Sequence, residues 1–337
     1  MLGLPRFGAE QAEQERILID ATDIQIVQGN TGRLPTNHHR LGTFVTMLEN
    51  GTAAEISRVP LESFLKSPRS YYGEDTVVAV AGGDGSLNSV VGRLLEDGAH
   101  QDTEADLPRI LVLPIGKTNE VARMLDGFDT ETHQTKSRPQ THNPIQFHGI
   151  YPIRLAFHSL EGEAPRNEYS IYCALIGNPA RASRVYDNSV YRRFTRFPLV
   201  GRAAEVAVAA VCATFPASHR IKNAGKQSAI IALGGHTAAR YMRSPADLRE
   251  PNVAVCEQLA HPPAIIANSL NMMLNPIDPP FLVLDQRASV TYSFSRDHLP
   301  KDYSLDGQPY SWRPNETTLT ISASDIPVRI GVLRARH

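Results

Sequence analysis

The chain has 337 residues, 42% of them hydrophobic and 20% charged, with 34 Lys and Arg against 35 Asp and Glu. That length supports one large or two modest domains with a sizeable core and excludes global disorder. The balanced charge excludes a general pull toward nucleic acid or anionic membrane, so any such partner must meet a local patch.

The opening residues hold no apolar core of signal-peptide length, and the longest apolar helix-like run, Val206 to Phe215, is about half a membrane span. Three cysteines, Cys173, Cys212 and Cys256, lie far apart without a CxxC spacing. They argue against a disulfide framework or a thiolate zinc site and read as buried core thiols. A soluble, cytoplasmic protein that touches membrane at most peripherally is expected.

Short β-rich runs alternate with amphipathic stretches over the first 120 residues, the pattern of βαβ units. Ile24 to Val27 is a strand leading into the glycine-bearing turn Gln28-Gly-Asn-Thr-Gly-Arg33, followed by a helix over Leu41 to Glu49 and an extended segment at Ile56 to Val59. Thr76 to Ala81 has the composition of a strand buried on both faces. It breaks at Gly82-Gly83-Asp84-Gly85, Ser86 stands where an N-cap belongs, and Leu87, Val90, Val91, Leu94 and Leu95 form the apolar stripe of a helix. Arg109 to Pro114 repeats the pattern, with Gly116 as the turn and Thr118 or Asn119 as cap. Residues 126–147 are polar and aperiodic and read as a linker. Beyond them come strands at Tyr169 to Ile176, Ser228 to Leu233, Ala264 to Ala267, Phe281 to Leu284, Ser289 to Phe294, Thr317 to Ile321 and Val328 to Val332, with one helix near Ala203 to Ala213. This half reads as a β-rich domain.

A strand, a glycine turn and a helix N-terminus make an anion site, because backbone N–H groups without intrahelical acceptors converge where glycine permits close approach. Gly82 to Ser86 and Gly116 to Asn119 each supply one. The commoner signatures fail: Asn88 occupies the third glycine position of a dinucleotide fingerprint, and Leu111 stands where a Walker A loop ending at Lys117 needs glycine. Neither a GxSxG elbow nor an HExxH spacing is present.

Gly82-Gly83-Asp84-Gly85-Ser86-Leu87-Asn88 resembles the GGDGT-x-N-E loop of the diacylglycerol kinase catalytic-domain family, which also embraces sphingosine, ceramide and bacterial lipid kinases and is distantly similar to NAD kinases. Pro114-Ile-Gly-Lys-Thr-Asn-Glu-Val-Ala-Arg123 is similar to that family's P-L-G-T-x-N-D-F-A-R, the Gln28 to Arg33 turn to its opening N-P-x-S-G-(K/R), and Leu305-Asp306-Gly307-Gln308 to its late D-G-E. The resemblance implies an α/β N-terminal nucleotide-binding domain over 20–140, joined by 325–337, and a β-sandwich C-terminal domain over 145–324 holding a lipid. It implies ATP and Mg²⁺ as cofactors and transfer of the γ-phosphate to a lipid hydroxyl at a membrane surface, with no nucleic acid; a homodimer is admitted. Carried over by position, Thr31, Gly32, Gly82, Gly83, Asp84, Gly85, Ser86, Asn88, Gly116, Thr118 and Asn119 would bind nucleotide, Asp84 and Glu120 the metal, and Asp306 would be the general base.

The match loosens where chemistry is expected. Ser89 and Gln308 replace glutamates, Glu120 replaces aspartate, Lys117 replaces threonine, and Arg154 stands where the family has aspartate. A catalytically impaired nucleotide- or lipid-binding relative, or an NAD-kinase-like phosphotransferase, therefore remains open. Asp306 also fits position one of a tight turn, and Asp84 a cap for its own loop. Arg181, Arg184, Arg192, Arg193, Arg196 and Arg202 cluster among aromatic residues, as either a solvated helix face or a rim for anionic headgroups.

Overall fold

The computed structural model describes residues 19, 21–29, 35–99, 107–116, 119, 121–122, 125, 128–129, 134–135, 145–177, 180–181, 184–185, 219–221, 225–234, 251–259, 285–287 and 289–333. Outside them lie Thr31, Gly32, Lys117, Thr118, Glu120, Arg192, Arg193, Arg196, Arg202, Cys212, the helix expected at 203–213 and the strands expected at 264–267 and 281–284.

Four parallel strands open the chain: β1 (Asp23–Gln28), β2 (Glu55–Pro60), β3 (Thr76–Gly82) and β4 (Arg109–Pro114), in the order β2-β1-β3-β4. The late strand Val328–Val332 continues this sheet parallel to β4, and His148–Ile150 closes its edge antiparallel to that late strand. Among the described residues it is covered by the helices α1 (Pro35–Gly51), α2 (Leu61–Lys66) and α3 (Asp84–Ala99).

The alternation of side chains along β3 explains why its sequence is apolar throughout. Val77, Ala79 and Ala81 join a cluster with Leu41, Phe44, Val45 and Leu48 of α1, whereas Val78 and Val80 join Phe64 of α2 and the whole Leu87, Val90, Val91, Leu94, Leu95 stripe of α3. Each fully buried Leu or Val of that stripe contributes on the order of 2 kcal/mol.

Several elements differ from the expectation. Helix α1 begins at Pro35, six residues before Leu41, because its opening stretch precedes the first apolar contact that periodicity can register. Helix α3 begins at Asp84: the amides of Ser86 and Leu87 already donate to the Gly83 carbonyl at 3.0 and 3.2 Å, so Gly83 and not Ser86 holds the N-cap position. The polar stretch read as a linker contains a short antiparallel ladder of Phe128–Asp129 with Gln134–Thr135, too brief to leave a period. The single strand expected over Tyr169 to Ile176 is two, Arg166–Ser170 and Cys173–Gly177, and the break has a cause described below.

The remaining described strands form two antiparallel sheets. One is ordered Asp285–Arg287, Val253–Leu259, Gly225–Gly234, Cys173–Gly177, Asp302–Leu305 and Gln308–Ser311, with His219–Ile221 added to Gly225–Gly234. The other is ordered Ser289–Ser293, Glu316–Ala323, Ile153–Ser159 and Arg166–Ser170. A shared core draws Ile153, Leu155, Phe157, Leu319 and Ile321 from the second sheet and Ala174, Ile176, Ile230, Val253, Tyr303 and Leu305 from the first, as expected of layered β-sheets. Among the described residues, no helix is long and apolar enough to cross a membrane.

Candidate functional site

The carboxyl ends of β1, β3 and β4 converge, and glycines make the convergence possible. Gly29 donates its amide to the Ala81 carbonyl at 3.0 Å, and Gly116 donates to Gly82 at 3.1 Å. A β-carbon on Gly116 would fall 2.7 Å from the Gly83 nitrogen, and one on Gly82 would fall 2.6 Å from the Ser86 hydroxyl. Ser86, freed from capping, packs its side chain against Gly29 and Gly82 instead. Sequence reasoning carried Thr31 and Gly32 into the site from this first turn and passed over Gly29; the signal was the glycine that directly follows β1.

Two side chains tie the second and third turns together. Asp84 Oδ1 accepts the backbone N–H of Val121 at 3.1 Å, so the carboxylate holds the start of the helical turn containing Val121, Ala122 and Leu125. Asn119 Nδ2 donates to the Gly116 carbonyl at 2.9 Å. Asn88 Oδ1 and Asn119 Oδ1 are buried and accept no hydrogen bond among the described residues. Buried amide oxygens without donors are costly, on the order of 1–3 kcal/mol each, and they are complementary to a ligand that carries hydroxyl or amine donors.

The fourth motif reaches the same place from the β-rich sheets. Asp302–Leu305 and Gln308–Ser311 form a hairpin joined by Asp306 and Gly307, whose φ angles of 48° and 82° are both left-handed, as a two-residue type I′ loop requires. Asp306 thus lies in a turn, but as its second residue, with Leu305 in the first position where the sequence alone places Asp306. Its carboxylate does more: Oδ1 accepts from the Ser170 hydroxyl at 2.7 Å and from the amides of Tyr172 and Cys173 at 2.8 and 2.9 Å, and Oδ2 accepts from Ile171 at 2.9 Å. Three successive amides turned toward one carboxylate cannot also serve a straight ladder, which is why the strand breaks between Ser170 and Cys173. Burial pushes the Asp306 carboxyl above its ordinary value, and the four donors work against that rise. Burial, then the charges of Asp306 and Asp84, likewise raise the Cys173 thiol, a free and buried cysteine as expected.

Gln308 bridges the hairpin to the glycine loop. A β-carbon on Gly85 would overlap the Gln308 carboxamide, so that side chain lies directly on the first turn of α3. Tyr310 donates its hydroxyl to Gln308 Oε1 at 3.2 Å and stacks on Tyr303 with ring centroids 5.3 Å apart. Behind Tyr303 stands a half-buried ionic cluster. Arg166 donates to both carboxylate oxygens of Glu316 at 2.8 Å, to the Tyr303 hydroxyl at 3.0 Å and to Glu168, while its guanidinium lies 4.2 Å from the Phe157 ring centroid. Burial alone would lower the Arg166 pKa; the bonds to Glu316 and Tyr303 and the charge of Glu168 outweigh it and raise the group above its ordinary value. Burial, Glu168 and Asp306 together push Tyr310 up to about 12.

The other departures from the family pattern face their own neighbours. Ser89 donates to the Gly85 carbonyl of its own helix at 2.9 Å, and Arg154 donates to Asn167 on the adjacent strand at 3.0 Å. Of the arginine cluster, Arg184 pairs with Asp302 at 2.7 Å and Ser311 at 3.0 Å, in keeping with a solvated face at that position. Among the described residues no three His, Cys, Asp or Glu side chains come together as a metal cluster.

Two glycine turns and a D-G-Q hairpin thus meet at the N-terminus of α3. Residues 51–145 match the family profile of the diacylglycerol kinase catalytic domain, which bears out the resemblance carried by the glycine loops. A crystal structure of a diacylglycerol kinase from Bacillus anthracis str. Sterne superposes with a TM-score of 0.52 over 90% of this chain and 94% of its own, at 10% identity. At that identity the likeness is one of fold. A yeast NADH kinase complexed with NADH gives a TM-score of 0.45 at 7% identity, over 94% of this chain and 84% of its own. No curated protein matches the chain in sequence.

Proposed function

We propose that this protein is a lipid kinase that transfers the γ-phosphate of ATP to a lipid hydroxyl of the diacylglycerol or sphingoid type. The observation that carries the reading is the meeting of Gly82 to Ser86, Gly116, Asn119 and the Asp306 to Gln308 hairpin around the first turn of α3, with the orphaned oxygens of Asn88 and Asn119 buried beside it. The amides at that helix end attract phosphate, and the glycines at 82, 85 and 116 let Ser86, Gln308 and the Gly83 backbone close together around it. Asn88 and Asn119 suit the hydroxyl and amine donors of a nucleoside. Thr31, Gly32 and Thr118 complete the nucleotide contacts in this reading, and residues 20–140 with 325–337 and the edge strand His148–Ile150 form its nucleotide domain against a lipid domain over the rest of 145–324.

The donor set fits one divalent cation only sparingly. Asp84 and Glu120 are the carboxylates available by position, and a Mg²⁺ bridging phosphates needs only one or two of them. Such an ion, when bound, neutralises charge on the transferring phosphoryl group. The chain itself orients the phosphates and tethers the two loops through Asp84 and Val121. Asp306 serves as the anchor of the hairpin: three of its four donors crowd Oδ1, so Oδ2, which accepts only the Ile171 amide, is the oxygen that would take a proton from the acceptor hydroxyl in the role the family resemblance implies.

The test is transfer of labelled γ-phosphate from ATP to a panel of diacylglycerol, sphingoid base and NAD in detergent micelles. The reading expects a labelled phospholipid. One observation favours a second reading, a nucleotide-binding relative without activity: Ser89, Arg154 and Gln308 replace acids and bond to groups of the protein itself. ATP binding with no transfer to any acceptor would establish that alternative, and labelled NAD would instead mark an NAD-kinase-like enzyme.

A further inference from the structure

Resting on the nucleotide site proposed above, we propose that Gln308 is a phosphate ligand in its own right, with Tyr310 as its positioning residue. The hairpin that carries it is fixed twice. Its loop is locked by the left-handed φ angles of Asp306 and Gly307, and the Asp306 carboxylate is held by Ser170 and three backbone amides. Gln308 follows immediately, with its carboxamide on Gly85.

The orientation of that carboxamide decides its chemistry. Its oxygen accepts the Tyr310 hydroxyl at 3.2 Å, and its nitrogen is the atom nearest the position a Gly85 β-carbon would take. Tyr310 is in turn stacked on Tyr303, whose hydroxyl is gripped by Arg166 and Glu168. The result is an NH₂ donor at the end of α3 where amides and helix dipole already favour an anion. Asn88, 5% exposed and with an orphaned Oδ1, lies three residues on from Gly85, which places the two on one face of the helix. One helix face therefore pairs a phosphate donor with an acceptor for a hydroxyl or amine, the two demands of a nucleotide.

A glutamate at this position would repel phosphate unless a divalent cation stood between them, whereas glutamine binds phosphate directly. At position 308 this chain therefore offers phosphate a contact that needs no cation.

The experiment is calorimetric titration of ATP, in EDTA and in Mg²⁺, into wild type, Gln308→Glu, Gln308→Ala and Tyr310→Phe, with melting temperatures recorded for each. Wild type should bind ATP in EDTA. Gln308→Glu should lose about tenfold or more in EDTA and recover in Mg²⁺, as expected when a charge-assisted hydrogen bond is replaced by a carboxylate. Gln308→Ala should weaken binding in both buffers without recovery, and Tyr310→Phe should weaken it several-fold at unchanged melting temperature. ATP bound by wild type with an affinity that all three variants share would overturn the inference and leave the nucleotide site standing. No ATP binding by wild type in either buffer would overturn both.

Discussion

Cys173 and Asp306 hold each other twice: the Cys173 amide donates to Asp306 Oδ1 at 2.9 Å, and the Asp306 amide donates to the Cys173 carbonyl at 2.9 Å. The hairpin bearing the D-G-Q motif is thereby fastened to the bend between two strands of different sheets. Asp306→Asn puts an amide NH₂ where an oxygen accepted backbone N–H groups, leaving at least one buried donor unmet at a cost of about 1–3 kcal/mol. Thermal unfolding of this variant should fall well below wild type. An unchanged midpoint with lost transfer would instead identify Asp306 as a base with little structural duty.

Two glycines at the site should respond oppositely to alanine. A methyl at Gly116 meets the Gly83 backbone, which cannot move without dragging β3, so Gly116→Ala should cost about 1–3 kcal/mol. A methyl at Gly85 meets only the far end of the exposed Gln308 side chain, which can swing away. Gly85→Ala should therefore melt close to wild type while weakening ATP binding, and chemical denaturation with ATP titration separates the two effects.

The Arg166 cluster predicts a stability effect remote from the glycine loops. Glu316 has a side chain 4% exposed and answers both arms of the Arg166 fork. Removing it by Glu316→Ala leaves a half-buried guanidinium with Glu168 as its remaining carboxylate and should cost about 1–3 kcal/mol. Urea unfolding measures this directly, and a loss under 1 kcal/mol would mark the cluster as solvent-screened.

Acid sensitivity should trace in part to His148, in the strand that closes the six-stranded sheet. Burial lowers its pKa below the ordinary 6.5. The unfolded chain then binds the proton first, so stability is complete above pH 6.5 and declines as pH falls from there toward the folded value. Unfolding free energies of wild type and His148→Gln, taken from pH 7.5 to 5, should show a shallower slope for the variant.

The α/β half was legible because its signals are local. Thr76 to Ala81 and the Leu87 to Leu95 stripe announce a two-faced strand and its helix, and observed bounds differ only at the ends. The convergence at α3 was legible through motif resemblance, which brings together residues more than 200 positions apart such as Gly85 and Gln308. What the sequence did not carry was partnership. Nothing local says that Asp84 caps the turn at Val121, that Ser170 and the three following amides grip Asp306, or that Tyr310 holds Gln308. Each depends on the meeting of separate sheets. The N-cap at Gly83 was missed for a related reason: Ser86 has the chemistry of a cap, but Gly29 and Gly82 leave room for its side chain to pack elsewhere.

The most direct measurement of the central claim is calorimetric ATP binding by wild type compared with Gly83→Val, with circular dichroism confirming that both are folded. In the proposed site, a side chain at Gly83 would take space that the phosphates occupy beside the helix end. The account predicts one ATP site per chain in wild type and none detectable in the folded variant. Equal affinity in both proteins would contradict it.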